Sequence, residues 1–283
     1  MARPIRLEFP DANYLITTRG NEGNDIFVDD QDRLQFLTIL GEVVSRTGWI
    51  VHAYVLMDNH YHLLVETPMA NLSRGMRQLN GGYTQRFNSL HGSGGRVFQG
   101  RFKAVLVERD SSMLDLCRHI VLNPLRLKAV KNISRYRWSS YRATAGEVQP
   151  PSWLSTGWIL GHFGRSSSVA QRKYAEFIDA GIGLSSPLAK VKSQILLGSA
   201  AFVKKMKLRL LSAVDVKRNQ KKPKRPSLNS LFPVKVRKDI ALRNEAIRHA
   251  YQEYAYTMAE IGDAVQIHFS TVSKVIKMGE QAV

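Results

Sequence analysis

The stretch Met57-Asp58-Asn59-His60-Tyr61-His62-Leu63-Leu64-Val65-Glu66 constrains this chain more than any other. Trp49 to Met57 reads as a β-strand, Asp58-Asn59 as a turn, and His60 to Glu66 as the returning strand. Residues two apart on a strand share a face. His60 and His62 therefore project side by side, and Tyr61 turns the other way. Two neutral imidazoles so placed can bind one divalent metal ion. A His-x-His pair is also common by chance, so its meaning depends on what surrounds it.

The elements around the pair follow from periodicity and punctuation. Tyr14 to Thr18 is β-branched and aromatic and stops at Arg19-Gly20, which predicts a strand and turn. Asp29 and Asp30 suit the cap of a helix from about Gln31 to Arg46, whose stripe is Leu34, Leu37, Leu40 and Val44. Gly48 ends it. Leu72 to Phe87 predicts a second helix, weakened by Gly81-Gly82. Phe102 to about Glu108 predicts a strand. Met113 to Asn123 predicts a helix capped by Ser111 or Ser112 and closed by Pro124. The order β-α-β-β-α-β-α implies a ferredoxin-like α+β sandwich, an antiparallel sheet with helices on one face.

Charge speaks to partners rather than fold. Forty-one Lys and Arg against 23 Asp and Glu leave a formal charge of +18 in 283 residues. Nucleic acid is the first reading of that imbalance and an anionic membrane surface the second. No apolar run of about 18 residues is present, so no spanning helix is expected. The N-terminus lacks an apolar signal region, and Cys117, the one cysteine, has no disulfide partner in the chain. A reduced, cytoplasmic setting is expected. Arg96, Arg101 and Lys103 suit phosphates, and Phe98 and Phe102 suit base stacking. The competing reading of that segment is a solvated basic edge with two core aromatics.

The C-terminal half is predicted to be helical. Residues 153 to about 212 carry helical faces, Tyr174 with Phe177 and Ile178, then Phe202 with Met206 and Leu210. Lys217 to Arg225 holds six basic residues in nine and reads as a linker. Beyond it, Asp239 to Glu253, Met258 to Val265 and a stretch opening at Ser270 suggest a helix-turn-helix. Ser270, Thr271, Ser273 and Lys274 would then face a DNA groove. A plain three-helix bundle is the alternative. The domain scheme is 1–148, a helical extension over 149–213, a basic linker over 214–235, and 236–283.

Five pieces in order resemble the REP-associated tyrosine transposases, relatives of the single-tyrosine HUH transposases. They are Ile16-Thr17-Thr18-Arg19-Gly20-Asn21, Asn59 to Glu66, Val97 to Lys103, Leu122-Asn123-Pro124-Leu125-Arg126, and Trp138-Ser139-Ser140-Tyr141. The tail, through Tyr256 to Ile261 and His268 to Lys274, resembles the helix-turn-helix of replication initiators. The resemblance implies Mg²⁺ or Mn²⁺ held by His60, His62 and Asn123. It implies single-stranded hairpin repeat DNA as substrate, cut by a helix-borne tyrosine and rejoined. Arg19, Arg96, Phe98, Arg101, Lys103 and Arg126 are the implied DNA contacts of the core. Relatives include both monomers and dimers, so the oligomeric state stays open.

The chain departs from the family where the tyrosine belongs. Four residues before Asn123 stands His119. His119 could itself attack phosphorus, Tyr83 could substitute from the preceding helix, or cleavage could be lost with DNA binding kept. The last would make the protein a non-catalytic DNA-binding regulator.

Overall fold

The structure is a computed structural model that describes residues 8–219, 226–254 and 256–280. The chain divides into two compact units, Met1–Leu210 and Leu211–Val283. In the first, the strands are β1 (Ala12–Arg19), β2 (Ile50–Met57), β3 (His60–Thr67), β4 (Lys103–Val107) and β5 (Leu196–Leu197). They form one sheet in the order β2-β3-β1-β4-β5. The first four pair antiparallel, and β5 runs parallel to β4. Helices α1 (Asp30–Thr47) and α2 (Leu72–Leu90) complete the expected β-α-β-β-α-β run.

Local chemistry sets these boundaries. Asp29 caps α1 by accepting from Asp32 N at 2.9 Å, and Gly48 closes it in the left-handed region at φ 69°. Two cores then divide along the pleat. Tyr14, Ile16, Tyr54, Leu56, Tyr61, Leu63 and Val65 bury against Phe36 and Leu40 of α1 and Met76, Leu79 and Tyr83 of α2. The alternate positions Leu15, Val55, Met57 and Leu64 bury on the other face. Each such side chain contributes about 1.5–3 kcal/mol on leaving water. A one-residue slip of β3 would exchange the two faces and expose both cores.

The α+β sandwich stands as expected, with α1 and α2 on one face. The elements that follow it cover the second. Helix α3 (Arg109–Val121) packs there through Met113, Leu116, Cys117 and Ile120, followed by α4 (Asn123–Arg126), α5 (Tyr141–Thr144), α6 (Gly157–Gly161) and α7 (Ser167–Asp179). Tyr141, Tyr174 and Ile178 join that core, and Leu197 of β5 reaches it too. Helix α3 begins four residues before the expected Met113. Its N-cap is Glu108, whose carboxylate instead accepts from Ser199 N at 2.6 Å and Ser199 Oγ at 3.0 Å. Pro124 does not close α3. It sits in the first turn of α4, where its missing N–H is tolerated.

Helix α8 (Ala200–Asn219) runs through the boundary between the units. Of the basic linker expected over 214–235, residues 214–219 lie in α8, residues 220–225 lie outside the described residues, and Leu228–Leu231 is helical. The second unit holds α9 (Leu228–Leu231), α10 (Val234–Lys238), α11 (Ile240–Gln252), α12 (Met258–Val265) and α13 (Phe269–Glu280). Asp239 caps α11 through Ala241 N and Leu242 N. Thr257 and Glu260 form a reciprocal capping box on α12. Phe232, Ile247, Ile261, Val272, Val275 and Ile276 make its core. Ser270, Thr271 and Lys274 are exposed and Ser273 is half-buried. Among the described residues no helix is long and apolar enough to cross a membrane.

Candidate metal centre and nucleic-acid surface

The β2–β3 turn is held from two sides. Gly20 N donates to Asn59 O at 2.8 Å, and Ile26 N and Phe27 N donate to Asp58 O at 2.7 and 3.0 Å. The Asp58 carboxylate pairs with Arg33. This fixes the start of β3, where His60 and His62 lie with ring centroids 5.2 Å apart. Both are buried, at 7% and 6% exposure. They share the face of Leu64, toward α3, as their two-residue spacing predicts.

Hydrogen bonds orient each ring. His60 Nδ1 lies 2.8 Å from Asn59 Oδ1, a carbonyl oxygen that only accepts. The hydrogen of neutral His60 therefore sits on Nδ1, and Nε2 carries the lone pair. His62 Nδ1 lies 2.8 Å from Thr17 Oγ1, which can accept in the same way. Such outer partners set the tautomer of a metal-binding histidine. Thr17 sits opposite His62 in the β1–β3 register. Sequence reasoning gave neither Thr17 nor Asn59 this role, although strand alternation through Leu15, Thr17 and Arg19 carried the signal. Thr17→Val or Asn59→Ala should lower Mn²⁺ affinity about 10- to 100-fold with the fold retained, measurable by calorimetric titration.

Electrostatics keep both rings neutral. Burial pushes the His62 pKa down to about 3, helped by His60 and Arg19. Burial also lowers His60, while the adjacent Asn123 side chain acts in the opposite direction. An unfolded chain would thus bind more protons here than the folded one. Stability from these sites is present above the ordinary value of 6.5 and is lost as pH falls toward about 3. The urea midpoint should drop between pH 7.5 and 4.5, and less so in His62→Ala.

Asn123 supplies the third group. It opens α4, is buried, and its Oδ1 has no hydrogen-bond partner in the protein. A buried carbonyl oxygen without a hydrogen-bond partner, on a side chain next to His60, fits a divalent cation, which would satisfy it. Among the described residues no cluster of three or more His, Cys, Asp or Glu is placed to hold a metal. The ligand set that fits is two histidines and an amide.

His119, four residues before Asn123, has hydrogen-bond partners of its own. His119 is buried on α3, and its Nδ1 accepts from the Arg126 guanidinium, with Ser186 Oγ 3.5 Å away. Among the described residues no hydrogen bond or ring contact joins it to His60 or His62. Tyr83 must be withdrawn as a substitute nucleophile. It is fully buried on α2, on the opposite face of the sheet, where its hydroxyl donates to Ile26 O. Phe27, Phe36 and Phe98 surround its ring.

The basic residues divide. Arg19 is exposed opposite His60 in register, and Lys103 is exposed opposite Thr17, so both flank the histidine face. Arg96 and Arg101 are exposed and line a groove on the α2 side of the sheet. Phe98 is corrected as a stacking platform. It is 6% exposed and packs on Tyr61 and Tyr83 at 6.1 and 5.9 Å. Gln99 N donates to Arg19 O, and Asn21 N to Val97 O, each at 2.9 Å, which draws the segment inward. Arg126 is committed to His119.

A second polar cluster sits at the other end of β3. Glu66 accepts from Arg109 at 3.0 Å and meets His52 Nε2 at 3.2 Å. Arg109 lies over the Trp158 ring at 5.3 Å. Burial lowers the His52 pKa and the Glu66 contact opposes it. This cluster ties the start of α3 to the sheet.

Residues 9–121, from before β1 to the end of α3, match the model of the transposase IS200-like family. The matched segment holds β1 to β4 together with α1, α2 and α3. Among solved structures, a REP-associated tyrosine transposase bound to a REP hairpin is similar at 16% identity, over 55% of this chain and 92% of that one, with a TM-score of 0.45. A protein assigned as a transposase, from Deinococcus radiodurans, is similar at 16% identity, over 46% of this chain and 91% of that one, with a TM-score of 0.30. No curated protein sequence matches the chain.

Proposed function

We propose that this transposase-domain protein binds single-stranded hairpin repeat DNA and seats one phosphate of it at the His60–His62–Asn123 centre. The observation that carries this reading is the unpartnered Asn123 Oδ1 on a side chain next to His60, with His62 beside His60 on the strand and both rings oriented and neutral. His60, His62 and Asn123 would hold Mg²⁺ or Mn²⁺. When bound, such an ion neutralises charge developing on phosphate oxygens. Arg19 and Lys103, on the same face, would hold flanking phosphates.

Two outcomes compete for the seated phosphate. Strand cleavage and rejoining need a nucleophile. With Tyr83 withdrawn, His119 is the remaining candidate of the two, and its Nδ1 is engaged by Arg126. That engagement favours the second outcome, a DNA-binding regulator that holds its target without efficient cutting. The discriminating experiment is incubation with hairpin repeat DNA and Mn²⁺, followed by a search for a covalent adduct.

The second unit is assigned to duplex DNA, with α12 and α13 as a helix-turn-helix. Ser270, Thr271, Ser273 and Lys274 on α13 would face the groove. Deleting residues from 214 onward should weaken duplex binding and flatten its salt dependence, while leaving hairpin recognition largely intact. Equal duplex affinity across several salt concentrations, with and without the tail, would overturn the assignment.

A further inference from the structure

We infer that Arg126 and Ser186, beside His119, form a binding site for a phosphate monoester, the group that can end a DNA strand. The DNA source rests on the hairpin reading above, and the anion site does not. The cluster holds two donors and one acceptor. His119 Nδ1 has a single lone pair, and the Arg126 guanidinium donates to it through one terminal nitrogen. Ser186 Oγ lies 3.5 Å from the same ring nitrogen. That oxygen already accepts from Leu188 N at 3.2 Å, so toward His119 it has a hydrogen to give. Arg126 and Ser186 therefore compete for one lone pair, and an oxyanion would accept from both.

Charge sets the sign of the ligand. Among the described residues no carboxylate pairs with Arg126. Arg118 is supplied differently, since Asp115 lies 2.7 Å from it and its guanidinium sits 4.2 Å over the Phe177 ring. Burial lowers the Arg126 pKa, and the Arg118 charge adds to the effect. A half-buried guanidinium beside a second one is stabilised by an anion that reaches it.

The donors and the enclosure select a monoester over a diester. A diester inside a strand carries one charge, and the strand must leave it on both sides. A monoester carries nearly two charges and three acceptor oxygens. Arg126 keeps further N–H groups for a bidentate contact, and the Ser186 hydroxyl adds a third bond. One side of the cluster is covered. His119 is buried, and Gly181 lies so close to Arg118 that a Cβ there would collide with the arginine side chain. The turn Pro187–Lys190, which Ser186 caps, packs on α3. A strand end fits such a place better than a continuous strand does. Ser186 lies beyond the 9–121 family match, so this half of the site is an addition to the matched domain.

The test uses the full chain and three kinds of probe. They are a repeat hairpin with hydroxyl ends, the same hairpin phosphorylated at its 5′ or its 3′ end, and inorganic phosphate alone, followed by phosphorus NMR. Wild type should bind one phosphorylated hairpin at least about tenfold more tightly than the hydroxyl-ended one, the effect of one charge-assisted hydrogen bond or more. Arg126→Gln should abolish that advantage. Ser186→Ala should reduce it while keeping the melting temperature and the affinity for hydroxyl ends. Each variant is read as a ratio between probes, which a general loss of positive charge or of fold does not imitate. Inorganic phosphate should broaden with wild type and not with Arg126→Gln. That signal without any end preference would keep the site and make free phosphate its ligand. Equal affinity for all hairpins, with no Arg126-dependent phosphate signal, would overturn the inference. So would a folded Arg126→Gln, Ser186→Ala double variant that keeps the full advantage. Failure of wild type to bind any hairpin would sink the hairpin reading, and the phosphate arm would then decide the site by itself.

Discussion

Replacing His119 with tyrosine should raise hairpin cleavage by about a hundredfold or more and yield a DNA adduct at residue 119. The position is right. Leu122 keeps helical geometry between α3 and α4, and its N–H still bonds to Arg118 O at 3.0 Å. Residues 119 and 123 therefore lie one turn apart on nearly the same helical face, and the Asn123 side chain is the one that reaches His60. The chemistry at 119 is what fails. The imidazole is shorter than a phenol, and its Nδ1 is tied to Arg126. A misplacement of about 1 Å can cost about a hundredfold in rate. A tyrosine has no ring nitrogen at the point where His119 Nδ1 meets Arg126, and its phenol oxygen extends further from the helix. Gel-shifted adduct on His119→Tyr, absent from His119→Phe, is the expected readout. A tyrosine variant as inert as wild type would show that Arg126 and Ser186 close the pocket regardless of the side chain.

The double substitution His60→Ala with His62→Ala should abolish Mn²⁺ binding while the domain stays folded. Each ring is hydrogen-bonded at Nδ1, to Asn59 and to Thr17 of the paired strand β1, and the backbone pairing of β1 with β3 persists without them. Their loss leaves small cavities at the turn end of β3, costing about 1–3 kcal/mol. Acidification should then destabilise the variant less than wild type, because two groups that resist protonation in the folded state are gone. Calorimetric Mn²⁺ titration with far-ultraviolet circular dichroism checks both halves. An unchanged titration in a folded variant would remove the histidines from the centre.

The sheet and the histidine pair were legible because a strand period of two leaves no freedom once the hairpin turn is placed. Asp29 and Gly48 marked α1 for similarly local reasons. Strand β5 was not legible, since Leu196–Leu197 is too short to show any period and pairs with β4 from about ninety residues away. Phe98 and Tyr83 depart from expectation for a different reason. Phe98 interleaves with basic residues, but which way its ring turns depends on the bridge between Gly20 and Phe98, a tertiary event. Tyr83 looks available on a helix with a glycine-weakened middle, yet the helix packs it inward, against Phe36. His119 stands at the expected helix position but takes unexpected partners, because Ser186 comes from a distant segment and Arg126 from the following helix. The face shared by Thr17, Arg19 and Lys103 becomes readable from alternation only once the β1 register is known.

Intact-mass spectrometry of the wild-type chain after incubation with hairpin repeat DNA and Mn²⁺ tests the central claim most directly, namely a metal centre that seats phosphate without a positioned nucleophile. The unmodified protein mass should persist, while hairpin binding remains Mn²⁺-dependent. A stoichiometric DNA adduct mapped to His119 would contradict it.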